Sequence, residues 1–250
     1  MQQHLFILGG TAEARELAAR LADDSRWRVT TSLAGRTAVP KLPKGDVRIG
    51  GFGGAAALAS YIQQDEVSAV IDASHPFATR ISRSAMAAAE TARVPLLWLE
   101  RPPWQPVDGD QWQEIGDWPE AEALLPPEAR VFLAIGRQEL GAFSGLLDRF
   151  FLVRMVDEPA TPLPLAQHTV ILGRGPFLLD DEQAILRRHG ITHVVAKNSG
   201  GAGAYAKLEA ARTLGLPVIL KRRPAKLRTE RATRVDDALS WIELVAGRLR

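Results

Sequence analysis

Residues 69–103 read AVIDASHPFATRISRSAMAAAETARVPLLWLERPP. An apolar run of strand length ends in a polar corner, Ala73-Ser74-His75-Pro76, and an alanine-rich stretch of helical periodicity leaves it. A second apolar run, PLLWL, closes on Arg101-Pro102. Residues 193–224, HVVAKNSGGAGAYAKLEAARTLGLPVILKRRP, repeat the plan, with a strand, a polar loop, a helix and a strand that closes on Arg223-Pro224. Val70 to Pro95 spans 25 positions and Val194 to Pro217 spans 23. Strand, crossover helix and strand at this spacing form a parallel βαβ unit. One such unit in each half predicts two domains rather than one large sheet.

The rhythm extends outward from both stretches. Apolar runs at 5–8, 28–32, 47–49, 68–72 and 95–99 alternate with helical patterns near 12–22, 55–64 and 79–92. The runs at 130–135, 150–154, 169–172, 192–196 and 217–221 repeat the alternation, and a helix near 235–248 closes the chain. The expected fold is α/β: two tandem Rossmann-like domains with parallel sheets and an inter-domain cleft. Pro102, Pro103 and Pro106 mark one break and Pro126-Pro127 another. The junction is placed at the second, giving domains 1–126 and 127–250. Ligands of such sheets sit outside the strand carboxyl ends, so the loops there are where function belongs.

Composition narrows the chemistry. The chain has 250 residues, 46% hydrophobic and 24% charged, with a formal charge of +2. It has no cysteine, which excludes disulfides, thiolate catalysis and cysteine-held metal. No apolar run has membrane-span length and no leader is evident, so the chain reads as cytoplasmic and not membrane-bound. Up to Leu125 there are 12 Lys+Arg against 16 Asp+Glu; from Pro126 onward there are 19 against 13. A basic second half suggests an anionic ligand there, although a solvated arginine-rich surface reads as well. His189 and His193 are four apart, but Gly190 interrupts the helix and no Glu follows His189, so no metal site is expected. P-loop and hydrolase-elbow motifs are absent. The basic run KRRPAKLRTERATR (221–234) has no interleaved aromatics, so nucleic acid is not an expected partner.

The first strand ends in Gly9-Gly10-Thr11 and opens an amphipathic helix, an arrangement that offers a phosphate free backbone N–H groups and a partial positive charge. A plain tight turn fits the same residues. Dinucleotide folds that take NADH place an acidic residue after the second strand. Here stand Ser32, Gly35, Arg36 and Thr37. An arginine with hydroxyl neighbours suits a 2′-phosphate, which favours NADPH, the alternative being a solvated loop arginine. Gly51 and Gly53 of IGGFGG (49–54) permit close backbone approach to a cofactor, or simply a flexible turn.

Taken together, ILGGTAEAREL, SLAGRT, GGFGG, DASHPFA and ERPPW, with AIGRQEL, AKNSGG and KRRP later, resemble the precorrin-6A reductase family nearly end to end, and DASHPFA is the most specific element. The resemblance implies an NADPH-dependent oxidoreductase of cobalamin biosynthesis that reduces one carbon–carbon double bond of precorrin-6A to give precorrin-6B. Its partner would be a polycarboxylate tetrapyrrole. On this reading Asp72 and Ser74 join the cofactor loops, and Arg137, Arg174, Asn198, Ser199, Gly200 and Arg223 bind substrate. His75 and Lys197 are the expected sources of a proton or of charge stabilisation. His75 could instead fill space against Phe77. Rival readings are a non-catalytic NADPH sensor and an NADPH reductase of another small anion.

Overall fold

The computed structural model describes residues 2–35, 40–225 and 229–248. The chain divides into two units, 1–102 with 225–250, and 103–224.

Unit 1 contains β1 (Gln3–Leu8), α1 (Ala12–Leu21), β2 (Trp27–Leu33), β3 (Asp46–Ile49), α2 (Ala55–Gln64), β4 (Val67–Asp72), α3 (Thr79–Ala92) and β5 (Leu96–Leu99). Its six strands lie in the order β3-β2-β1-β4-β5-β12, all parallel, where β12 is Glu230–Ala232. Alternate residues of the central strands face two cores. Leu5, Ile7 and Ile71 pack with α1 and with α7 (Val235–Arg248), while Phe6, Leu8 and Val70 pack with α2 and α3. Burial on both faces explains why these strands appear in the sequence as unbroken apolar runs.

Unit 2 contains β6 (Trp112–Ile115), α4 (Trp118–Leu124), β7 (Arg130–Ala134), a 3₁₀ segment Arg137–Phe143, β8 (Phe150–Met155), β9 (Gln167–Leu172), α5 (Leu179–Arg188), β10 (His193–Lys197), α6 (Ala206–Thr213) and β11 (Val218–Lys221). The strand order is β6-β11-β10-β7-β8-β9, again all parallel. Unit 1 therefore has the 3-2-1-4-5-6 strand order of a dinucleotide-binding fold, and unit 2 repeats it from β7 onward except that the sixth position is filled by β6, which precedes β7 in the chain. The order reverses beside β1 in one sheet and beside β7 in the other.

The expected boundary at Pro126 is displaced. The chain leaves unit 1 at Pro102-Pro103 and returns at Pro224-Ala225, directly after the two Arg-Pro strand ends. Unit 2 takes its sixth strand first, as β6 beside β11, and unit 1 takes its sixth strand last, as β12 beside β5. Both are short edge strands with polar faces, WQEI and ERA, so hydrophobic patterning does not reveal them. The division also corrects the charge argument. Unit 1 holds 18 Lys+Arg against 14 Asp+Glu, and unit 2 holds 13 against 15. The basic C-terminal segment belongs to unit 1, and unit 2 is not a basic domain. Any attraction for an anion in unit 2 has to come from where its cations stand.

Candidate functional site

In unit 1 the strand order reverses between β1 and β4, and the loops after these two strands are tied together. Thr11 is buried; its hydroxyl donates to the Ala73 carbonyl at 2.7 Å and accepts from the Ala14 N–H at 3.1 Å, capping α1. Gly9 is required by packing, because a Cβ there would lie 2.6 Å from Thr31 Cγ2. Its N–H donates to the Ser32 carbonyl at 2.9 Å, which fixes the end of β2 against the turn. Gly10 differs: its φ is +110° and nothing lies within 4 Å of the place a Cβ would take. An open glycine at the N-terminus of α1 leaves room for a phosphate.

Asp72 ends β4 and is 4% exposed. Its Oδ1 accepts from the Ser74 N–H at 3.0 Å, while its Oδ2 is buried with no hydrogen-bond partner in the structure. A buried carboxylate oxygen left unmatched is costly unless a ligand donor meets it. The open turn at Gly10 and this orphaned oxygen at the reversal point fit a dinucleotide, whose ribose hydroxyls or amide would supply the donor. His75 is half-buried, and its Nδ1 accepts from the Phe77 N–H at 3.3 Å. In this arrangement the neutral ring carries its proton on Nε2. The imidazole lies 5.9 Å from the Phe77 ring, centre to centre. Ser74 and His75 thus stand in a corner held by Asp72 and the backbone.

The glycine loop after β3 is more built than its composition suggests. The Phe52 ring packs against Phe6 and Tyr61, and the Arg48 guanidinium lies 3.6 Å from its centre. Arg48 also donates to the Gly50 and Gly51 carbonyls at 2.6 and 3.1 Å. Gly53 remains open, with φ +84°. Gly35, with φ +70°, would bring a Cβ to 3.2 Å from Ile49 Cγ2. Arg36 and Thr37 lie outside the described residues.

In unit 2 the reversal falls between β7 and β10, and the expected substrate residues gather at the same edge of the sheet. Several have structural work there. Asn198 is buried, and its amide takes both ends of the Trp104 backbone, from N–H at 2.8 Å and to C=O at 3.0 Å. The Trp104 indole donates to the Gly201 carbonyl at 2.8 Å. Arg223 donates to the carbonyls of Asn198 and Ser199, each at 2.9 Å. Asn198 and Arg223 therefore shape the KNSGG loop, and Ser199 and Gly200 are presented by it. Arg137 is exposed and donates to Thr161 Oγ1 at 2.5 Å; Arg174 is exposed after β9. The ammonium of Lys197 pairs with Glu139, whose other oxygen accepts from Trp118 Nε1 at 3.1 Å. Sequence reasoning missed Trp104, Trp118 and Glu139, because each acts through a partner far along the chain.

Beneath this loop lies a buried ionic cluster. Arg154 makes two bonds to Glu182, at 2.5 and 3.0 Å, with its guanidinium 4.0 Å from the Phe177 ring centre. The buried Lys207 donates to the Ala204 carbonyl and lies 4.8 Å from the Trp104 ring centre. Burial pushes its ammonium down from 10.5 to about 7, against the attraction of Glu182. Between those values the unfolded lysine holds a proton the folded one has lost, so stability rises with pH across that window. The expected slope in urea melts approaches about 1.4 kcal/mol per pH unit. Lys207→Met should remove it, and an unchanged slope in that variant would assign the rise to another group.

Fold and site together define a Rossmann-like α/β protein of two units, with a nucleotide-type glycine turn in one and a cation-rich strand edge in the other. A family profile described as "Precorrin-6x reductase CbiJ/CobK" matches residues 4–243, and the chain belongs to that family of oxidoreductases. It is 47% identical to a precorrin-6A reductase of Rhodococcus erythropolis over 98% of this chain and 99% of the relative. It is also 47% identical to that of Rhodobacter capsulatus, over 95% of each chain. A solved structure described as "CobK precorrin-6A reductase" superposes with a TM-score of 0.92 at 46% identity, covering 98% of this chain and 97% of the other. Among the described residues no helix is long and apolar enough to cross a membrane.

Proposed function

We propose that this chain reduces one carbon–carbon double bond of precorrin-6A with NADPH, giving precorrin-6B in cobalamin biosynthesis. The observation that carries the reading is the 47% identity to a precorrin-6A reductase over nearly the whole of both chains. The open turn at Gly10 and the unmatched Asp72 oxygen support a nicotinamide dinucleotide in unit 1. Arg36, Thr37 and Ser32 are the residues proposed for the 2′-phosphate that distinguishes NADPH. When bound, the reduced nicotinamide supplies a hydride to one carbon of the double bond, and a proton completes the reduction. This chain's part is mostly alignment, holding donor and acceptor about 3–3.5 Å apart. Arg137, Arg174, Lys197, Ser199 and Gly200 would meet the macrocycle's carboxylates, on a loop shaped by Asn198 and Arg223.

The cobalt-free macrocycle is the proposed substrate. Relatives named precorrin-6A reductase are 42–47% identical to this chain, whereas those named cobalt-precorrin-6A reductase are 27–30% identical. Purified protein mixed with NADPH and precorrin-6A should consume one cofactor per macrocycle, followed by absorbance, and the cobalt form should react more slowly. Cofactor binding without consumption would favour the sensor reading. Consumption with another anion but not the macrocycle would favour a different reductase.

His75 is proposed to orient cofactor or substrate rather than to donate the proton. The following Pro76 restricts the corner's backbone, which limits how far the imidazole can reach. His75→Ala should lower turnover less than about tenfold and keep the shape of the pH–rate profile. A proton donor would instead lose one limb of the profile and roughly 10²–10⁴ in rate.

A further inference from the structure

We infer that Lys221, side by side with Lys197, forms a seat for one carboxylate of the substrate. The two lysines are register partners on the adjacent parallel strands β10 and β11. Each follows by two a residue of the same core, Val195 and Ile219, so both side chains leave one face of the sheet at its carboxyl edge. Like charges in neighbouring register repel, and such a pair weakens a sheet unless something offsets it. The fold offsets it with two linked groups. Glu139 pairs with Lys197, and the Lys221 ammonium lies 4.3 Å from the centre of the Trp118 ring. The Trp118 indole N–H in turn holds Glu139 at 3.1 Å, and the ring packs against Phe143 at 5.7 Å.

This arrangement puts two lysine side chains on neighbouring strands at the edge of the sheet where ligands of such folds bind. Glu139 balances one of the two charges, while the indole attracts the Lys221 cation without neutralising it. An incoming carboxylate bridging the two lysines would supply the second negative charge. Unit 2 carries more acidic than basic residues overall, so a local pair of this kind gives it an anion seat that its net charge does not. The seat rests on the proposal that the substrate is a polycarboxylate macrocycle, and it adds Lys221 to the residues that would hold it.

Steady-state kinetics of Lys221→Met and Lys221→Arg test the seat, with precorrin-6A and NADPH varied separately. Methionine keeps an apolar stem on Trp118 and removes the charge; arginine keeps the charge. The expected result for Lys221→Met is a rise of about tenfold in the macrocycle KM, with the NADPH KM and the melting temperature near wild type. Lys221→Arg should return the macrocycle KM to within about threefold. Because both lysines would hold the same carboxylate, Lys197→Met with Lys221→Met should cost less than the product of the single effects. A wild-type macrocycle KM in Lys221→Met would overturn the seat and leave the proposed reaction standing. So would a KM rise that arginine fails to reverse. A wild-type enzyme that does not reduce the macrocycle at all would sink the proposed reaction, and the seat with it.

Discussion

Glu182→Ala is expected to destabilise the protein by about 3–5 kcal/mol and to lower its melting temperature by roughly 10–20 °C. The side chains of Arg154 and Glu182 are 8% and 1% exposed. Their two bonds are the return for taking both charges out of water. Removing the carboxylate leaves the guanidinium between Phe132 and Phe177 with its charge unanswered. It also leaves Arg154 near Lys207, whose ammonium Glu182 otherwise attracts. The pair as a whole is a different matter, because well-packed apolar replacements of both partners are often neutral or stabilising. Arg154→Met combined with Glu182→Leu should therefore recover most of the loss. Thermal melts of the three proteins decide it. A single variant within 1 kcal/mol of wild type, on the order of an exposed pair's worth, would mean that water reaches the cluster. The effect should extend to substrate binding, since Phe177 and the Lys207-bound Ala204 carbonyl belong to loops at the ligand edge of unit 2.

Arg36→Ala is expected to weaken NADPH binding by roughly 1.5–3 kcal/mol, about ten- to a hundredfold, and to change NADH binding by less than about twofold. The reasoning is one of charge. The 2′-phosphate is the only difference between the two cofactors, and a guanidinium beside hydroxyls binds it with two charge-assisted bonds. Dinucleotide folds that take NADH place a carboxylate near the end of the second strand, and it would repel this phosphate. The stretch after β2 in this chain, Ala34 to Thr37, contains no acidic residue. Titration of the protein with each cofactor, followed by nicotinamide fluorescence, gives the two affinities. Equal losses for NADPH and NADH would place the phosphate elsewhere.

How far the sequence could be read depended on whether a feature is local. The central strands announce themselves, because burial on both faces demands unbroken apolar runs such as LFIL and VVA. The glycine turn after β1 is legible only in part. Thr11 caps α1 three residues on, a local demand that selects its residue type, whereas the steric demand on Gly9 comes from Thr31 on the neighbouring strand and shows only in the fold. The placement of Ser74, His75 and Lys197 at strand ends follows from the same alternation.

Only the tertiary structure decided which unit each edge strand joins. Trp112–Ile115 and Glu230–Ala232 have half-polar surfaces, and their partners are chosen by backbone hydrogen bonds, which carry no side-chain signature. Moving these strands moved the domain boundary, and with it the assignment of the basic segment. The roles of Asn198 and Arg223 were decided in the same way. In the sequence they are polar residues in a loop, suited to a ligand; in the fold their donors and acceptors meet backbone 94 and 25 residues away. A polar side chain declares its chemistry through its type, but which partner it serves depends on what the fold brings within about 3 Å of it.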